Sequence, residues 1–304
     1  MKKPVLISAI AVLLALPPFI CDGEKRTIEE EDRLGQGTFL QLQDGVTHYQ
    51  ALGRADAPVV VMVHGFSASY FMFDHLAAAL MDRFYVVRYD LYGQSLSDRP
   101  DTEYNQDLYD RQLLQLLDEA APGRPVLLLG TSMGGLIAAE FTARHPERVA
   151  RLAMIAPAGF LEKIPLSGRI ARAPLLGEYV VYSAGDLLFT RNNRSNFYGP
   201  VPEEFTAKFA VQMKYRGFKR ALLSTLRSMP LETGAATFDR AGRTAVPKLL
   251  IWGKQDAVVP FANSQSVLSR LPGVEFNALD QAGHSPHYEM PDSVVPILRA
   301  FFAR

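Results

Sequence analysis

The sequence predicts an α/β protein built on a mainly parallel sheet, with flanking helices and a helical segment inserted between two strands. Short apolar runs that do not alternate recur along the chain between helical stretches, which is typical of strands buried on both faces. One such run gives way to a helix at Gly130-Thr131-Ser132-Met133-Gly134. The alternation stops from about residue 160 to residue 246 and then resumes. The middle segment is therefore expected to be an insertion rather than a tail.

Each element has its own signal in the sequence. Phe39–Gln43 alternates, turns at Asp44-Gly45 and resumes as Val46–Gln50, which predicts a hairpin. Buried strands are predicted at Val59–Val63, Tyr85–Asp90, Pro125–Leu129, Leu152–Ala156, Lys248–Trp252 and Val274–Ala278. Helices are predicted near Phe71–Met81, from about Leu108 to Glu119, and from Leu136 to Phe141.

The bulk composition excludes several classes of protein. The 304 residues are 48% hydrophobic and 21% charged, which is typical of a folded domain. The formal net charge is zero, so no nucleic-acid partner is expected. The single cysteine, Cys21, excludes an intrachain disulfide, and no Cys or His cluster has metal-ligand spacing. The sequence therefore predicts neither a metal nor another cofactor.

The N-terminal residues differ from the rest of the chain. Lys2 and Lys3 precede Pro4–Cys21, a run without any charge. Residues 1–23 are predicted to be a signal peptide or an N-terminal membrane anchor. A helix over the uncharged run Pro4–Cys21 would reach about 27 Å, although Pro17-Pro18 argues against one clean helix. A buried helix of the globular domain is the third alternative.

The chain is thus divided into four parts. After residues 1–23, an acidic spacer is expected at 24–37, the α/β core at 38–159 and 247–304, and a helical cap at 160–246. Both leading interpretations of the N-terminus place the protein outside the cytoplasm, either anchored through the N-terminus or secreted. The cap has thirteen Lys or Arg against seven Asp or Glu, with several aromatic residues. It either packs as a solvated cap on the core or also contacts an anionic membrane surface and admits lipid-like substrates.

The Gly130–Gly134 segment has the pattern of a nucleophile elbow. A side chain at Gly130 or Gly134 would collide with nearby backbone, while Ser132 would be presented above the sheet. A serine hydroxyl needs a base, usually His, and that base needs an orienting carboxylate. Both should follow strands, in the order Ser, acid, His. Asp256 follows the strand ending at Trp252, and His284 follows the last strand.

Other titratable residues are weaker candidates. His287 competes with His284 for the role of base, but His284 directly follows a Gly that lets the loop turn towards the sheet. Structural roles are expected of three other histidines and of two earlier acids: His48, His75, His145, Asp90 and Asp98.

Attack on a carbonyl would also require two donors for the oxyanion. The amide of Met133, directly after the predicted nucleophile at a helix start, is one candidate. The second is the amide of Phe66, in the loop after Val59–Val63, where Gly65 allows a close approach.

Together these motifs resemble the α/β-hydrolase family over about residues 38–304. The resemblance rests on His64-Gly65-Phe66, Asp90-Leu91-Tyr92-Gly93, the elbow, Trp252–Asp256 and Gly283-His284. It implies an α/β-hydrolase fold with nucleophile Ser132, acid Asp256, base His284 and oxyanion donors Phe66 and Met133. In one departure, Ser95 stands where members commonly carry a second Gly. The elbow, Trp252–Asp256 and Ala156–Gly159 are similar to those of membrane-anchored monoacylglycerol lipases.

The sequence therefore predicts a serine carboxylic-ester hydrolase, an esterase or lipase. Its substrate would be a small-molecule ester with a lipid-like or medium-length acyl chain, monoacylglycerol being one candidate. Three alternatives stay open: a carbon–carbon bond hydrolase with the same triad, a peroxidase-like or transferase variant, and a non-catalytic binding protein.

Overall fold

The computed structural model describes residues 17–161 and 166–304. Its described strands are β1 (Thr38–Leu42), β2 (Gly45–Leu52), β3 (Val59–Val63), β4 (Tyr85–Tyr89), β5 (Val126–Thr131), β6 (Val149–Ile155), β7 (Lys248–Gly253) and β8 (Glu275–Leu279). They form one sheet in the order β1-β2-β4-β3-β5-β6-β7-β8. Strand β2 is antiparallel to β1 and β4, and every other neighbouring pair is parallel. The mainly parallel sheet is as the sequence predicts.

Burial follows position in the sheet. Every residue of β3, β5 and β7 is buried, because strands in the interior of the sheet are covered on both faces. Strand β8 was expected to be equally buried, but all five of its residues are half-exposed. It is the last strand of the sheet and has a neighbour on one side only.

Helices cover the sheet in two groups. The described helices are α1 (Pro17–Cys21), α2 (Glu30–Arg33), α3 (Asp74–Leu80), α4 (Gln106–Ala120), α5 (Met133–Arg144), α6 (Leu166–Arg172), α7 (Leu176–Asn193), α8 (Glu203–Gln212), α9 (Phe218–Ser228), α10 (Ala235–Gly242), α11 (Asn263–Leu268), α12 (Pro286–Glu289) and α13 (Pro291–Phe302). Helix α3 packs against α13, and α4, α5, α10 and α11 form a second contiguous group. The helix expected near Phe71–Met81 begins as a 3-10 turn, Tyr70–Phe73, that leads into α3.

The segment between β6 and β7 is helical, as the sequence predicts. Helices α6 to α9 lie there, and α9 packs against α6 and α7. Helix α10 instead packs against α5, where the hydroxyl of Thr237 donates to the carboxylate of Glu140 over 2.8 Å. Since α10 packs on the core, the name "cap" is used below only for residues 166–228, a shorter range than the predicted 160–246.

The predicted signal or anchor lies mostly on residues 1–16, outside the described residues. Among the described helices, none is long and apolar enough to cross a membrane. Helix α1 packs against α7 of the cap. The segment expected to be a spacer also contacts the cap, because the buried carboxylate of Glu24 accepts hydrogen bonds from the amides of Gly217 (2.8 Å) and Lys219 at the start of α9.

Candidate active site

Ser132 occupies a strained turn between β5 and α5. Its φ of 54° and ψ of −123° lie in a region that residues with side chains rarely adopt. Glycines make the turn possible. A Cβ on Gly130 would lie 2.2 Å from the carbonyl oxygen of Gly134, and one on Gly134 would lie 2.1 Å from that of Val63. The turn therefore depends on the absence of side chains at these two positions, as the sequence predicts.

The loop after β3 runs beside the Ser132 side chain. A Cβ built on Gly65 would lie 3.5 Å from Oγ of Ser132. Nδ1 of His64 bonds the carbonyl oxygen of Gly65 over 2.8 Å, and its Nε2 accepts from the amide of Leu91 over 3.0 Å. Burial lowers the pKa of His64, so the ring is neutral with its proton on Nδ1. Since the C=O and N–H of one peptide point in opposite directions, His64 also fixes the direction of the Phe66 amide.

The second predicted donor is the amide of Met133. Met133 is the first residue of α5, and the first amides of a helix have no acceptor within it. Its amide therefore lies beside Ser132 at the positive end of the helix dipole. Phe66 and Met133 thus follow two neighbouring strands of the sheet, β3 and β5.

His284 and Asp256 are hydrogen-bonded to each other. Nδ1 of His284 lies 2.7 Å from Oδ2 of Asp256, and both side chains are buried. The other oxygen of Asp256 accepts from the amides of Val258 and Val259, each over 2.8 Å. Because a carboxylate only accepts, Nδ1 carries a proton and Nε2 is the nitrogen left to face the nucleophile. The described structure contains no hydrogen bond between that nitrogen and Oγ of Ser132.

Backbone contacts join the loops that carry the two residues. A Cβ on Gly253, at the end of β7, would lie 2.1 Å from the carbonyl oxygen of Gly283. The amide of Gln255 donates to the carbonyl oxygen of Ala282 over 3.0 Å. Strands β5 to β8 are parallel neighbours, so Ser132, Asp256 and His284 all lie at the same edge of the sheet.

This arrangement can be compared with known families. A model described as "Alpha/beta hydrolase family" matches residues 60–297. The chain belongs to the alpha/beta hydrolase family.

Individual relatives of this alpha/beta hydrolase carry different activities in their names. It is 25% identical over 270 residues to the monoacylglycerol lipase abhd6-B of Xenopus laevis (84% of this chain, 78% of the relative). It is 27% identical over 283 residues to the cis-3-alkyl-4-alkyloxetan-2-one decarboxylase of Shewanella oneidensis (86% and 87%). Its fold is similar to the crystal structure of a membrane phospholipase A described as a bacterial virulence factor, with a TM-score of 0.70 and 24% identity over 100% of this chain and 98% of that one.

The alpha/beta hydrolase has a second buried His–Asp pair, away from the elbow. Nδ1 of His48 lies 2.6 Å from Asp90, and its Nε2 lies 2.6 Å from the carbonyl oxygen of Gln36. Both partners only accept, so both ring nitrogens carry protons. Burial by itself would lower the pKa of His48, but the hydrogen bond and charge of Asp90 raise it. Asp90 also accepts from the hydroxyl of Ser69 and the amide of Tyr70, which fits the loop-shaping role expected of it.

His287, the competing base, has different surroundings. It is fully buried, neither ring nitrogen has a hydrogen-bond partner among the described residues, and burial lowers its pKa to about 3. Its ring packs against that of Phe73 in a tilted arrangement, whereas Asp256 pairs with His284. Of the other histidines, His75 packs on Tyr288 and His145 lies 3.1 Å from Asp110. The catalytic roles themselves stay predictions.

The described residues include no group of three or more His, Cys, Asp or Glu that could hold a metal ion.

Two residues at the site, His64 and Glu289, were not predicted from the sequence to have a role there. The contact of His64 with the Gly65 carbonyl could have been suspected, because the ring directly precedes the loop glycine. Glu289, which bonds the amide of Gly283, has no comparable local signal.

We predict that Gly134→Ala destabilises the fold. The new methyl group would meet the carbonyl oxygens of Val63 and His64 at 2.1 and 2.4 Å, and backbone atoms cannot move aside as a flexible side chain can. The free energy of unfolding should fall by about 3 kcal/mol, measured by urea denaturation followed by circular dichroism. Gly199→Ala is the matched control, because a Cβ there meets nothing within 4 Å. Equal stability of the two variants would contradict the steric account.

Proposed function

We propose that the protein is a serine hydrolase that cleaves carboxylic esters through an acyl-enzyme. The observation that carries this proposal is the buried His284–Asp256 hydrogen bond at the sheet edge where Ser132 is presented. The relatives named as monoacylglycerol lipases support an ester substrate. Ser132 is the nucleophile, His284 the base and Asp256 the residue that orients the imidazole.

The reaction follows from these positions. Nε2 of His284 takes the proton of Ser132 as Oγ attacks the ester carbonyl carbon. The oxyanion that forms accepts from the amides of Phe66 and Met133. Collapse breaks the ester C–O bond, and His284 returns its proton to the departing alcohol. Water then attacks the acyl-enzyme with the same base, which releases the acid and restores Ser132.

Apolar surroundings support an acyl chain of medium length. Phe66 packs against a cluster formed by the cap, the segment before α3, and α12. The buried members of this cluster are apolar or aromatic: Phe71, Met72, Phe197, Phe205, Phe209, Met213, Phe218, Leu222 and Tyr288. An apolar chain attached to a carbonyl at Ser132 would lie near this surface, which favours it over a charged acyl group.

We predict that Ser132→Ala lowers kcat for p-nitrophenyl hexanoate by about 10⁴-fold, because the variant has no atom to acylate. A fluorophosphonate should label the parent enzyme at Ser132 and leave the variant unlabelled. Turnover of the variant within tenfold of the parent would contradict the proposal.

Carbon–carbon bond cleavage is the second candidate, supported by the relative named as a decarboxylase. The same triad could cleave a diketone. The parent enzyme should therefore be assayed on esters with acyl chains of two to sixteen carbons, on a monoacylglycerol and on a diketone. Ester turnover that peaks at medium chain length fits the first candidate, and faster diketone cleavage fits the second.

We further propose that the protein works outside the cytoplasm at a membrane surface. Residues 17–26 are held to the cap, since Nζ of the fully buried Lys219 lies 2.8 Å from both Asp22 and Asp186. Helix α1 therefore lies on the cap and forms the end of the uncharged run Pro4–Cys21. An apolar N-terminal segment in a bilayer would bring the cap close to that bilayer.

One face of α7 is suited to lipid contact. Leu176, Val180 and Leu187 recur at spacings of four and seven, which places them on one stripe of the helix. Leu187 is 72% exposed, and Leu175 just before the helix is 84% exposed. The carboxylates of α7 lie elsewhere, because Glu178 pairs with Arg227 and Asp186 with Lys219.

Further exposed apolar residues, and two exposed arginines, lie on α7 and on the helices that pack against it. Ile20 on α1 and Leu166 on α6 are exposed, and both helices pack against α7. Arg169 and Arg191 are also exposed. An apolar face with basic residues beside it favours an anionic bilayer over a neutral one.

We predict that Leu187→Glu slows hydrolysis of a monoacylglycerol embedded in phosphatidylglycerol vesicles by about tenfold, because a carboxylate would oppose apolar insertion and the anionic surface. Hydrolysis of soluble p-nitrophenyl hexanoate should stay within twofold. The control is Met81→Glu, which changes an exposed apolar residue on the surface of the α/β domain, outside the cap. Equal vesicle rates for the two variants would contradict docking through α7.

A further inference from the structure

The loop that carries His284 is held by the cap on both sides of the histidine. We call residues 280–285, which follow β8, the base loop. On one side, the amide of Ser285 donates to the carbonyl oxygen of Asn196 in the cap over 3.0 Å. On the other, a Cβ on Gly283 would lie 2.7 Å from the amide nitrogen of Tyr198 and 2.9 Å from the carbonyl carbon of Phe197. Backbone of the cap thus lies directly against the backbone that positions His284.

The carboxylate of Glu289 joins these two segments. Oε1 accepts from the amide of Gly283 over 3.1 Å, and Oε2 accepts from the amide of Tyr198 over 3.0 Å. Glu289 ends α12, the short helix that follows the base loop, so its side chain folds back over the histidine's own turn. A carboxylate suits this position because both of its oxygens accept, whereas an amide would present an NH2 group to one of the two N–H donors.

Open volume borders the same junction. A cavity of about 500 Å³ lies beside it, lined by residues of the cap and of the core that include Tyr198, Glu204, Gln281, Tyr288 and Glu289. A second polar contact crosses it, where the hydroxyl of Tyr288 donates to Glu204 over 2.7 Å.

We propose that Glu289 is a positioning residue that couples the place of the cap to the place of the catalytic base. With the cap segment 196–198 against the base loop, both amides that flank His284 are held and its imidazole is kept in line for Ser132. When that segment moves away, Gly283 and Ser285 lose their restraint from the cap. Displacement of the base by about 1 Å is enough to slow chemistry strongly. This inference rests on the proposed role of His284.

Glu289→Gln in the full chain tests the coupling. One of the two N–H contacts must be lost, so kcat for p-nitrophenyl hexanoate should fall about tenfold to a hundredfold while KM changes less than threefold. The matched control is Glu204→Gln, because the new side chain keeps an oxygen that can accept from Tyr288 and leaves the base loop untouched. It should leave kcat within twofold.

A second variant removes the contact from the cap side with Glu289 intact. Tyr198→Pro deletes the amide that donates to Oε2, and Phe197 already has the extended φ of −118° and ψ of 140° that a residue before proline prefers. It should reproduce the kcat loss of Glu289→Gln. Parent-like kcat in both variants would overturn the inference.

Hydrogen exchange supplies a readout that needs no activity. In a Ser132→Ala background, exchange of the base loop and of residues 196–199 should accelerate at least tenfold on Glu289→Gln and stay unchanged on Glu204→Gln. Unchanged exchange would overturn the coupling even if Ser132 proves essential. Faster exchange in an enzyme that does not need Ser132 would retain the coupling and reject the proposed function.

Discussion

The steric contact between the elbow and β3 is the constraint on which the site depends. Gly134 lies so close to the carbonyl oxygens of Val63 and His64 that no Cβ fits, and Gly130 lies equally close to Gly134. These contacts hold Ser132 at a positive φ, where its side chain leaves the strand direction. The same proximity brings the loop after β3 to the serine hydroxyl. The strain at one residue therefore places the hydroxyl and one predicted oxyanion donor together.

The other two predicted catalytic residues, Asp256 and His284, follow different strands of the sheet. Their loops are in close backbone contact at Gly253 and Gly283, and the two side chains are hydrogen-bonded to each other. Buried hydrogen bonds to the amides of Val258 and Val259 leave Asp256 one free oxygen for the imidazole. The base loop is not held by the core alone, since the cap contacts it. The position of the cap and the position of the base are thereby linked in one structure.

Local sequence signals predicted much of this arrangement. The apolar runs predicted the strands, the Gly-flanked serine predicted the elbow, and the glycine before His284 favoured that histidine over His287 as the partner of Asp256. Contacts between distant segments have no such signal. Glu24 lies in an acidic stretch that looks like a spacer, yet its carboxylate is buried at the start of α9. Glu289 looks like an ordinary surface residue at the end of a short helix, and only the folded cap brings an amide to its second oxygen.

The most direct test of the central claim is a crystal structure of the enzyme after reaction with a p-nitrophenyl alkylphosphonate, which forms a stable mimic of the tetrahedral intermediate. The account predicts phosphorus bonded to Oγ of Ser132, with one phosphonyl oxygen about 2.7–3.1 Å from the amide nitrogens of Phe66 and Met133. Nε2 of His284 should lie within hydrogen-bond distance of Oγ. An adduct on another residue, or an imidazole that stays out of reach of Ser132, would contradict it.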